Sequence, residues 1–330
     1  MPYPRADGDC AELLVTRERA RSLGFTDIRI NTLLRSGRWW APHPGVLATR
    51  PGALELPDQC RAALLYQDDG ATVSHSTAAR LLGLPDIPRP AGVELTLPPS
   101  RTRRQQRGLR RHWPYLLDTD ITEVDGLPCT TAARTAVDIA REPRMRPWAI
   151  VLADAALRAG LTTPEDLAGA LDRVADRREA TIARRSLMLA DGRSRSPQES
   201  HARLILLDAG LPAPEPNWPL RDATGQVVAI GDLVYPKWLL WFEYDGVEVH
   251  SSPVAFQADR VRERLIRSYG FEVIRLVRVD LRTPGQLSTI ASSALASAPE
   301  RISHLPPSMG PYVRTAQRAL WSAGAFRPAS

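Results

Sequence analysis

The chain has 330 residues, of which 43% are hydrophobic and 24% are charged, and it contains 29 prolines. This length predicts about two or three domains, and the composition excludes a wholly disordered chain. The formal net charge is +6, and because Lys237 is the only lysine, arginine supplies nearly all of the positive charge. Arginine suits phosphate contacts, but a GC-rich genome would produce the same bias, so charge alone does not decide for DNA binding.

No apolar run approaches the ~20 residues that span a bilayer. The first five residues also lack the charged and apolar regions of a signal peptide. We therefore expect a cytoplasmic protein with no membrane partner. Cys10, Cys60 and Cys129 are too widely spaced for a disulfide framework or a zinc motif, so we expect reduced, buried thiols.

Residues 13–49 have the pattern of a helix, a tight turn, a second helix and a short hairpin. Thr16 and Thr26 are the expected N-caps, and Gly24 lies in the turn between the helices. The periodicity of the second helix predicts a buried face of Ile30, Leu33 and Leu34. The outward face would then carry Arg29, Thr32, Arg35 and Ser36.

The hairpin is predicted from residues 38–40 and 45–49, with a turn at Pro42–His43–Pro44. This arrangement resembles a winged helix-turn-helix. The resemblance implies that the second helix enters the major groove and that Arg29, Thr32 and Arg35 contact DNA. The alternative is a solvated helix face in a small α/β subdomain.

A second region follows at residues 53–190 and is predicted to be α/β. Helices are expected at residues 59–66, 76–82, 150–159 and 164–174, and a strand at residues 93–97. Residues 101–111 are the densest positive run in the chain. Such a run is usually a solvated loop or strand edge, but its Arg103, Arg104 and Arg107 could also bind DNA phosphates.

The order of motifs in this front half carries a family resemblance. It runs from the wing through residues 74–84 (Ser-His-Ser-Thr-Ala-Ala-Arg-Leu-Leu-Gly-Leu) to residues 130–138 (Thr-Thr-Ala-Ala-Arg-Thr-Ala-Val-Asp). It resembles the AbiEi-type antitoxins of abortive-infection (type IV) toxin–antitoxin systems, which implies DNA and a cognate toxin as partners. His75 and Asp138 could be catalytic residues. A position at a capped helix start explains His75 equally well, and a buried, hydrogen-bonded structural role explains Asp138.

A polar linker at residues 191–195 precedes a third region. Ser196 and Glu199 open a helix that runs to about Ala209. Residues 227–234 and 239–244 are β-rich runs joined by residues 235–238, which predicts a hairpin. Pairing Tyr235 with Leu240 would place Asp232 opposite Glu243.

Glu243 and Asp245 are two residues apart on the predicted strand, so their side chains are expected on one face, about 7 Å apart at the α-carbons. With Asp232, three carboxylates would converge. Burying three carboxylates costs several kcal/mol without a cation, so this pattern predicts bound Mg²⁺ or Mn²⁺. A metal held by carboxylates can activate water against a phosphodiester, which is nuclease chemistry.

This third region also resembles a known family. The ordered residues resemble the very-short-patch-repair (Vsr-like) branch of the PD-(D/E)XK nucleases; they are Glu199, Asp232, Glu243-Tyr244-Asp245-Gly246, His250, Asp259-Arg260, Gly270-Phe271 and Arg275. The resemblance implies that Asp232 is the principal metal ligand, with Glu243 and Asp245 as partners. It further implies a proton-transfer or phosphate-polarising role for His250, an acidic role for Glu199, and an Arg275 that faces the scissile phosphate.

The match has departures and alternatives. The usual Glu-x-Lys is Glu243-Tyr244-Asp245 here, and no cysteine lies in this region to bind the structural zinc of Vsr enzymes. A capping box alone explains Glu199, and an exposed loop position explains His250. Arg260, Arg262, Arg264 and Arg267 could form a solvated helix face or attract phosphate without sequence choice.

We therefore predict an α/β multidomain protein. Its domains would be a winged helix-turn-helix (1–52), an AbiEi-like α/β middle domain (53–190), a restriction-endonuclease-like mixed sheet flanked by helices (195–298), and a tail with an amphipathic helix (299–330). The main functional prediction is a Mg²⁺-dependent DNA endonuclease. The alternative is an AbiEi-like antitoxin or autorepressor whose nuclease-fold domain has lost cleavage, and a third is a nuclease for structured RNA.

Overall fold

The computed structural model describes residues 10–67, 70–88, 92–98, 108–174, 176–245 and 253–322. The chain divides into two compact units, one of residues 1–148 with 161–184 and one of residues 149–160 with 185–330. Both units mix helices with β-sheet, which confirms the α/β class. The four-domain division stays a prediction. Within the described ranges, no helix is both long and apolar enough to cross a membrane.

The first unit begins with a small sheet and two helices. The elements are β1 (Leu14–Thr16), α1 (Arg17–Ser22), α2 (Asp27–Arg35), β2 (Trp40–His43) and β3 (Val46–Ala48), and the sheet order is β1-β3-β2. The hydroxyl oxygens of Thr16 and Thr26 accept hydrogen bonds from the third backbone N–H group after each, so both predicted N-caps are confirmed.

The hairpin turn differs from the prediction. The two strands meet at Pro44 and Gly45, where Gly45 has φ +80°. His43 is the last residue of β2, buried and stacked on Tyr66 with 5.4 Å between ring centroids. The predicted turn begins too early in the sequence. Pro42 and His43 are typical turn residues, but burial of the His43 side chain keeps both in the strand.

The middle of the chain adds a five-stranded sheet with helices. The strands are β4 (Thr72–Val73), β5 (Val93–Thr96), β6 (Leu109–His112), β7 (Ile121–Val124) and β8 (Leu127–Thr130), in the order β6-β5-β4-β8-β7. The helices are α3 (Leu56–Gln67), α4 (His75–Leu81), α5 (Ala132–Ala140), α6 (Arg146–Arg158), α7 (Pro164–Asp172) and α8 (Arg177–Leu187). The predicted helices and strand are confirmed. All three cysteines are buried free thiols, also as predicted.

Two buried carboxylates of the first unit share one buried arginine. Arg134, which is 2% exposed, donates to Asp138 at 3.0 Å and to Asp120 at 2.9 Å. Arg173 donates to Asp120, and Arg141 donates to Asp138. Asp138 is therefore a hydrogen-bonded structural acid, which is the non-catalytic interpretation given above.

The second unit contains most of the remaining elements. Its strands are β9 (Glu215–Arg221), β10 (Val227–Tyr235), β11 (Leu240–Tyr244) and β12 (Glu272–Leu276), in the order β12-β11-β10-β9. Only the β11–β12 pair is parallel within this sheet. The helices are α9 (Pro197–Asp208), α10 (Pro253–Ser268), α11 (Arg278–Arg282), α12 (Pro284–Ser303) and α13 (Pro311–Ser322).

The β10–β11 hairpin has the predicted register. Tyr235 pairs with Leu240, and Leu233 pairs with Phe242. A short 3-10 helix at Pro236–Trp238 makes the turn, and it carries the exposed Lys237. The predicted hairpin is therefore confirmed, and it brings position 232 beside position 243.

Candidate functional site

The first candidate surface is the exposed side of α2. Thr32 and Arg35 are exposed, whereas Arg29 is half-buried, with its guanidinium 5.3 Å from the Phe25 ring centroid. The Thr32 hydroxyl donates to the carbonyl oxygen of Ile28 at 2.9 Å. Of the three predicted DNA contacts on this helix, Thr32 and Arg35 are exposed to solvent and Arg29 is so in part.

The N-terminal end of α2 carries a neutralised acid. Asp27 accepts hydrogen bonds from Arg17 at 2.9 Å and from Arg21 at 3.0 Å. Hydrogen bonds from Arg21 and then Arg17 lower the pKa of Asp27 below its ordinary value. Because two guanidinium groups face one carboxylate, this end of the helix keeps a surplus of positive charge. Such a surface attracts a polyanion.

The other predicted DNA-binding residues precede strand β6 in the sequence. Arg103, Arg104 and Arg107 lie outside the described residues. The strand that follows them, β6, carries Arg110, which lies 3.5 Å from the carboxylate of the fully buried Glu94. Their role as phosphate contacts stays a prediction.

The second candidate site is a pair of acids on β10 and β11. Asp232 accepts a hydrogen bond from the backbone N–H of Tyr244 at 2.8 Å. Glu243 is 8% exposed and accepts from the Trp241 indole N–H. Its two carboxylate oxygens also accept from Arg262 of α10, at 3.0 and 3.1 Å. Glu243 is therefore already paired with a cation supplied by the protein.

The environment of Asp232 favours its neutral form. Burial, together with the negative charges of Glu243 and Glu199, raises the pKa of Asp232 to about 7, against an ordinary value of 3.8. The hydrogen bond from Tyr244 and the charge of Arg262 act in the opposite direction but are outweighed. Asp232, Glu243 and Glu199 are thus electrostatic neighbours.

Glu199 has structural partners as well. Its carboxylate accepts from the backbone N–H of Arg195 at 2.8 Å and from the Asn217 side chain at 2.7 Å. The Ser196 hydroxyl accepts from the backbone N–H of Glu199, so the predicted N-terminus of α9 is confirmed. These contacts hold the loop before α9, but they differ from the predicted capping box, because the Glu199 carboxylate accepts from the backbone N–H of Arg195, one residue before the N-cap Ser196.

Asp245 and Arg275 form a separate cluster. Strand β11 ends at Tyr244, so Asp245 lies one residue beyond the strand that was expected to carry it. Arg275 donates to Asp245 at 2.8 Å, and also to Asp259 and Glu263 of α10. The Arg275 guanidinium is therefore paired with three carboxylates. The resemblance implied instead that it faces a phosphate.

The carboxylates do not form a three-ligand metal site. Among the residues with described side chains, no three Asp, Glu, His or Cys groups are placed to hold one metal ion. The reason is visible in the partners, since Glu243 faces Arg262 and Asp245 faces Arg275. His250 lies outside the described residues. Binding of Mg²⁺ or Mn²⁺ by Asp232, Glu243 and Asp245 stays a prediction.

Two features of these sites were not predicted from the sequence. Arg262 and Glu263 are the partners of Glu243 and Arg275, although the helix was assigned only an exposed or phosphate-attracting basic face. Ile28 is 79% exposed within the first turn of α2. The helical spacing of Ile28, away from the buried positions Ile30 and Leu33, was the available signal for that exposure.

Comparison with known proteins identifies the class of the middle region. The family model of the AbiEi antitoxin C-terminal domain matches residues 70–190. This match confirms the AbiEi resemblance over residues 70–190, and it ends before the acid pair. Most of the matched region belongs to the first unit, and its residues 149–160 and 185–190 belong to the second.

Two relatives show the family to which the chain belongs. The Mycobacterium tuberculosis proteins MT2308 (strain CDC 1551 / Oshkosh) and Rv2248 (strain H37Rv), both described as uncharacterized, are each 33% identical to it over 235 residues. The aligned part is 71% of this chain and 84% of each relative. The chain belongs to the family of these two proteins.

A solved structure gives a weaker likeness. The crystal structure of the RV2827C protein from Mycobacterium tuberculosis superposes with a TM-score of 0.42 and 21% sequence identity. The superposition covers 58% of this chain and 75% of that chain. A TM-score of this size does not establish a shared fold.

Proposed function

We propose that this protein is an AbiEi-type antitoxin that binds DNA through α2 and the β2–β3 hairpin, represses its own promoter and opposes a cognate toxin. The observation that carries the proposal is the antitoxin-domain match at residues 70–190. It is supported by the two-helix motif in the same unit, whose second helix has an exposed polar and basic side. Such a helix is suited to the major groove, with the hairpin against the backbone.

Replacing Arg35 by Ala should weaken binding to the promoter DNA of the protein's own gene. If Arg35 contacts a base, the loss should be about 1 to 3 kcal/mol on that promoter. If Arg35 contacts a phosphate, binding should weaken by a similar amount on every DNA sequence. Arg35 is exposed, so the substitution leaves the core intact. Fluorescence anisotropy at several salt concentrations measures the loss. A phosphate contact would also reduce the salt dependence of binding.

The control for this measurement is Arg184→Ala. Arg184 lies in the same unit and forms an exposed pair with Asp172. Its replacement by Ala removes the same charge as the replacement of Arg35. Equal losses from both variants would show that only net charge matters and would argue against α2 as the DNA-contacting element. The antitoxin part is tested separately by co-expressing the chain with the product of the neighbouring gene. If the neighbouring gene product inhibits growth and co-expression of this chain does not restore growth, the antitoxin part of the proposal is wrong.

A second candidate function is a Mg²⁺-dependent endonuclease in residues 195–298. It is favoured by the element order α9-β9-β10-β11-α10-β12 and by the neighbouring acids Asp232 and Glu243. A bound metal there would supply Lewis-acid activation of water. The residues do not fit a three-carboxylate centre, because Glu243 and Asp245 are paired with arginines.

Supercoiled plasmid distinguishes the two candidates. The wild-type chain and Asp232→Ala are incubated with Mg²⁺, Mn²⁺ or EDTA, and nicking and gel-shift binding are scored together. For the regulator we expect binding without nicking under every condition, since arginines already neutralise the acids. Nicking that requires metal and is lost in Asp232→Ala would establish the nuclease.

A further inference from the structure

Ile28 is an unusual side chain on the outer surface of α2. It is the second residue of the helix and is 79% exposed, while its neighbours on the same side are polar. Leaving a large aliphatic side chain in water forgoes the stabilisation that burial would give. Single exposed apolar residues are common on protein surfaces, so the surroundings of Ile28 have to indicate what covers it.

Those surroundings are cationic. Arg17 and Arg21 share the single carboxylate of Asp27, the residue before Ile28, which leaves positive charge beside the isoleucine. Arg35 lies two turns along the same side of the helix and is exposed. Ile28 is therefore an exposed apolar side chain on the helix face that carries Arg35, and it follows directly after the Asp27 carboxylate that binds Arg17 and Arg21. Its complement is a polyanion that presents an apolar group at the bottom of a groove.

We propose that Ile28 contacts the C5 methyl group of a thymine in the major groove and thereby selects DNA sites with thymine at one position. The thymine methyl is the apolar group that a base pair presents in that groove. Residues near the N-terminus of a helix-turn-helix recognition helix are the ones that reach base edges. This inference rests on the proposed DNA binding and deepens it, because it assigns sequence choice to one side chain.

The test is a double-mutant cycle between the side chain and the methyl group. Duplexes are first enriched from a randomised pool by the full wild-type chain and then synthesised with each thymine replaced singly by deoxyuridine, which lacks only the methyl. At one position we expect deoxyuridine to weaken wild-type binding about fourfold, the value of one buried methyl-sized group. Ile28→Ala should bind the thymine duplex more weakly and should be indifferent to deoxyuridine there.

Leu117→Ala is the matched control, because Leu117 is also an exposed aliphatic residue of the first unit. It should keep both wild-type affinity and the deoxyuridine effect. The inference is overturned if Ile28→Ala binds as tightly as wild type, or if it retains the wild-type loss at every deoxyuridine position. Failure of the wild-type chain to enrich any sequence would instead overturn the DNA-binding proposal itself. Unchanged DNA binding with loss of a protein partner would make Ile28 a protein contact.

Discussion

Replacing Arg134 by Met should lower the free energy of unfolding by about 3 to 5 kcal/mol, the usual cost of removing one partner from a buried ion pair. Arg134 is 2% exposed, and both of its carboxylate partners, Asp120 and Asp138, are 1% exposed. Methionine fills much of the space, and among the described residues it leaves the two acids with Arg173 and Arg141 as charged partners. Urea unfolding followed by circular dichroism measures the change.

The comparison variant is Arg184→Met. It removes an arginine of the same unit whose side chain is 44% exposed and whose partner Asp172 is 69% exposed. Exposed pairs contribute about 0 to 1 kcal/mol, so this variant should unfold close to wild type. A loss below about 1 kcal/mol for Arg134→Met would contradict the view that the buried triad holds α5 in the first unit.

Replacing Asp232 by Asn should stabilise the protein at pH 8 and have little effect at pH 4. The pKa of Asp232 is about 7 in the folded chain against 3.8 ordinarily, so the folded state holds its proton where the unfolded chain has lost it. The contribution of Asp232 to the stability of the wild-type chain is therefore lost as the pH rises from about 4 to 7. At about 1.4 kcal/mol per pKa unit, the gain for Asp232→Asn reaches up to about 4 kcal/mol above pH 7.

Asp222 provides a control of opposite sign. Hydrogen bonds from Thr224 and neighbouring backbone groups lower the pKa of this partly exposed acid. Its contribution to stability is present above the unfolded pKa and is lost as the pH falls, so Asp222→Asn should be destabilising at neutral pH. If Asp232→Asn has the same free energy of unfolding as the wild type at every pH, deprotonation of Asp232 does not destabilise the folded state. Acids that cost stability are frequent at functional sites.

Local signals in the sequence predicted the elements well. Thr16 and Thr26 cap their helices because a threonine before an amphipathic run satisfies N–H groups that the helix leaves open. The register that joins Tyr235 to Leu240 follows from the length of the turn and the apolar runs on both sides. These features depend on residues within a few positions of one another, which is why they can be predicted.

Partners between distant elements could not be predicted in the same way. The sequence shows that Glu243 is an acid on a buried strand, but it does not show that Arg262, 19 positions later, reaches it. Both a metal ion and an arginine can satisfy a buried carboxylate. The sequence pattern showed the acids but not the arginine beside them, and it was therefore interpreted as a magnesium site. The predicted run already ended at Tyr244, as β11 does, so placing Asp245 on the same strand face as Glu243 extended the strand by one residue too many.

The hairpin turn at Pro236–Trp238 has a practical consequence for protein chemistry. Lys237 is the only lysine in the sequence, and it is exposed in that turn, while all three thiols are buried. Guanidinium groups do not react with activated esters, so an amine-directed fluorophore would attach at Lys237 and at the α-amino group. The second unit thus has one natural anchoring point for a dye or a surface tether, set at the far end of the hairpin from Asp232.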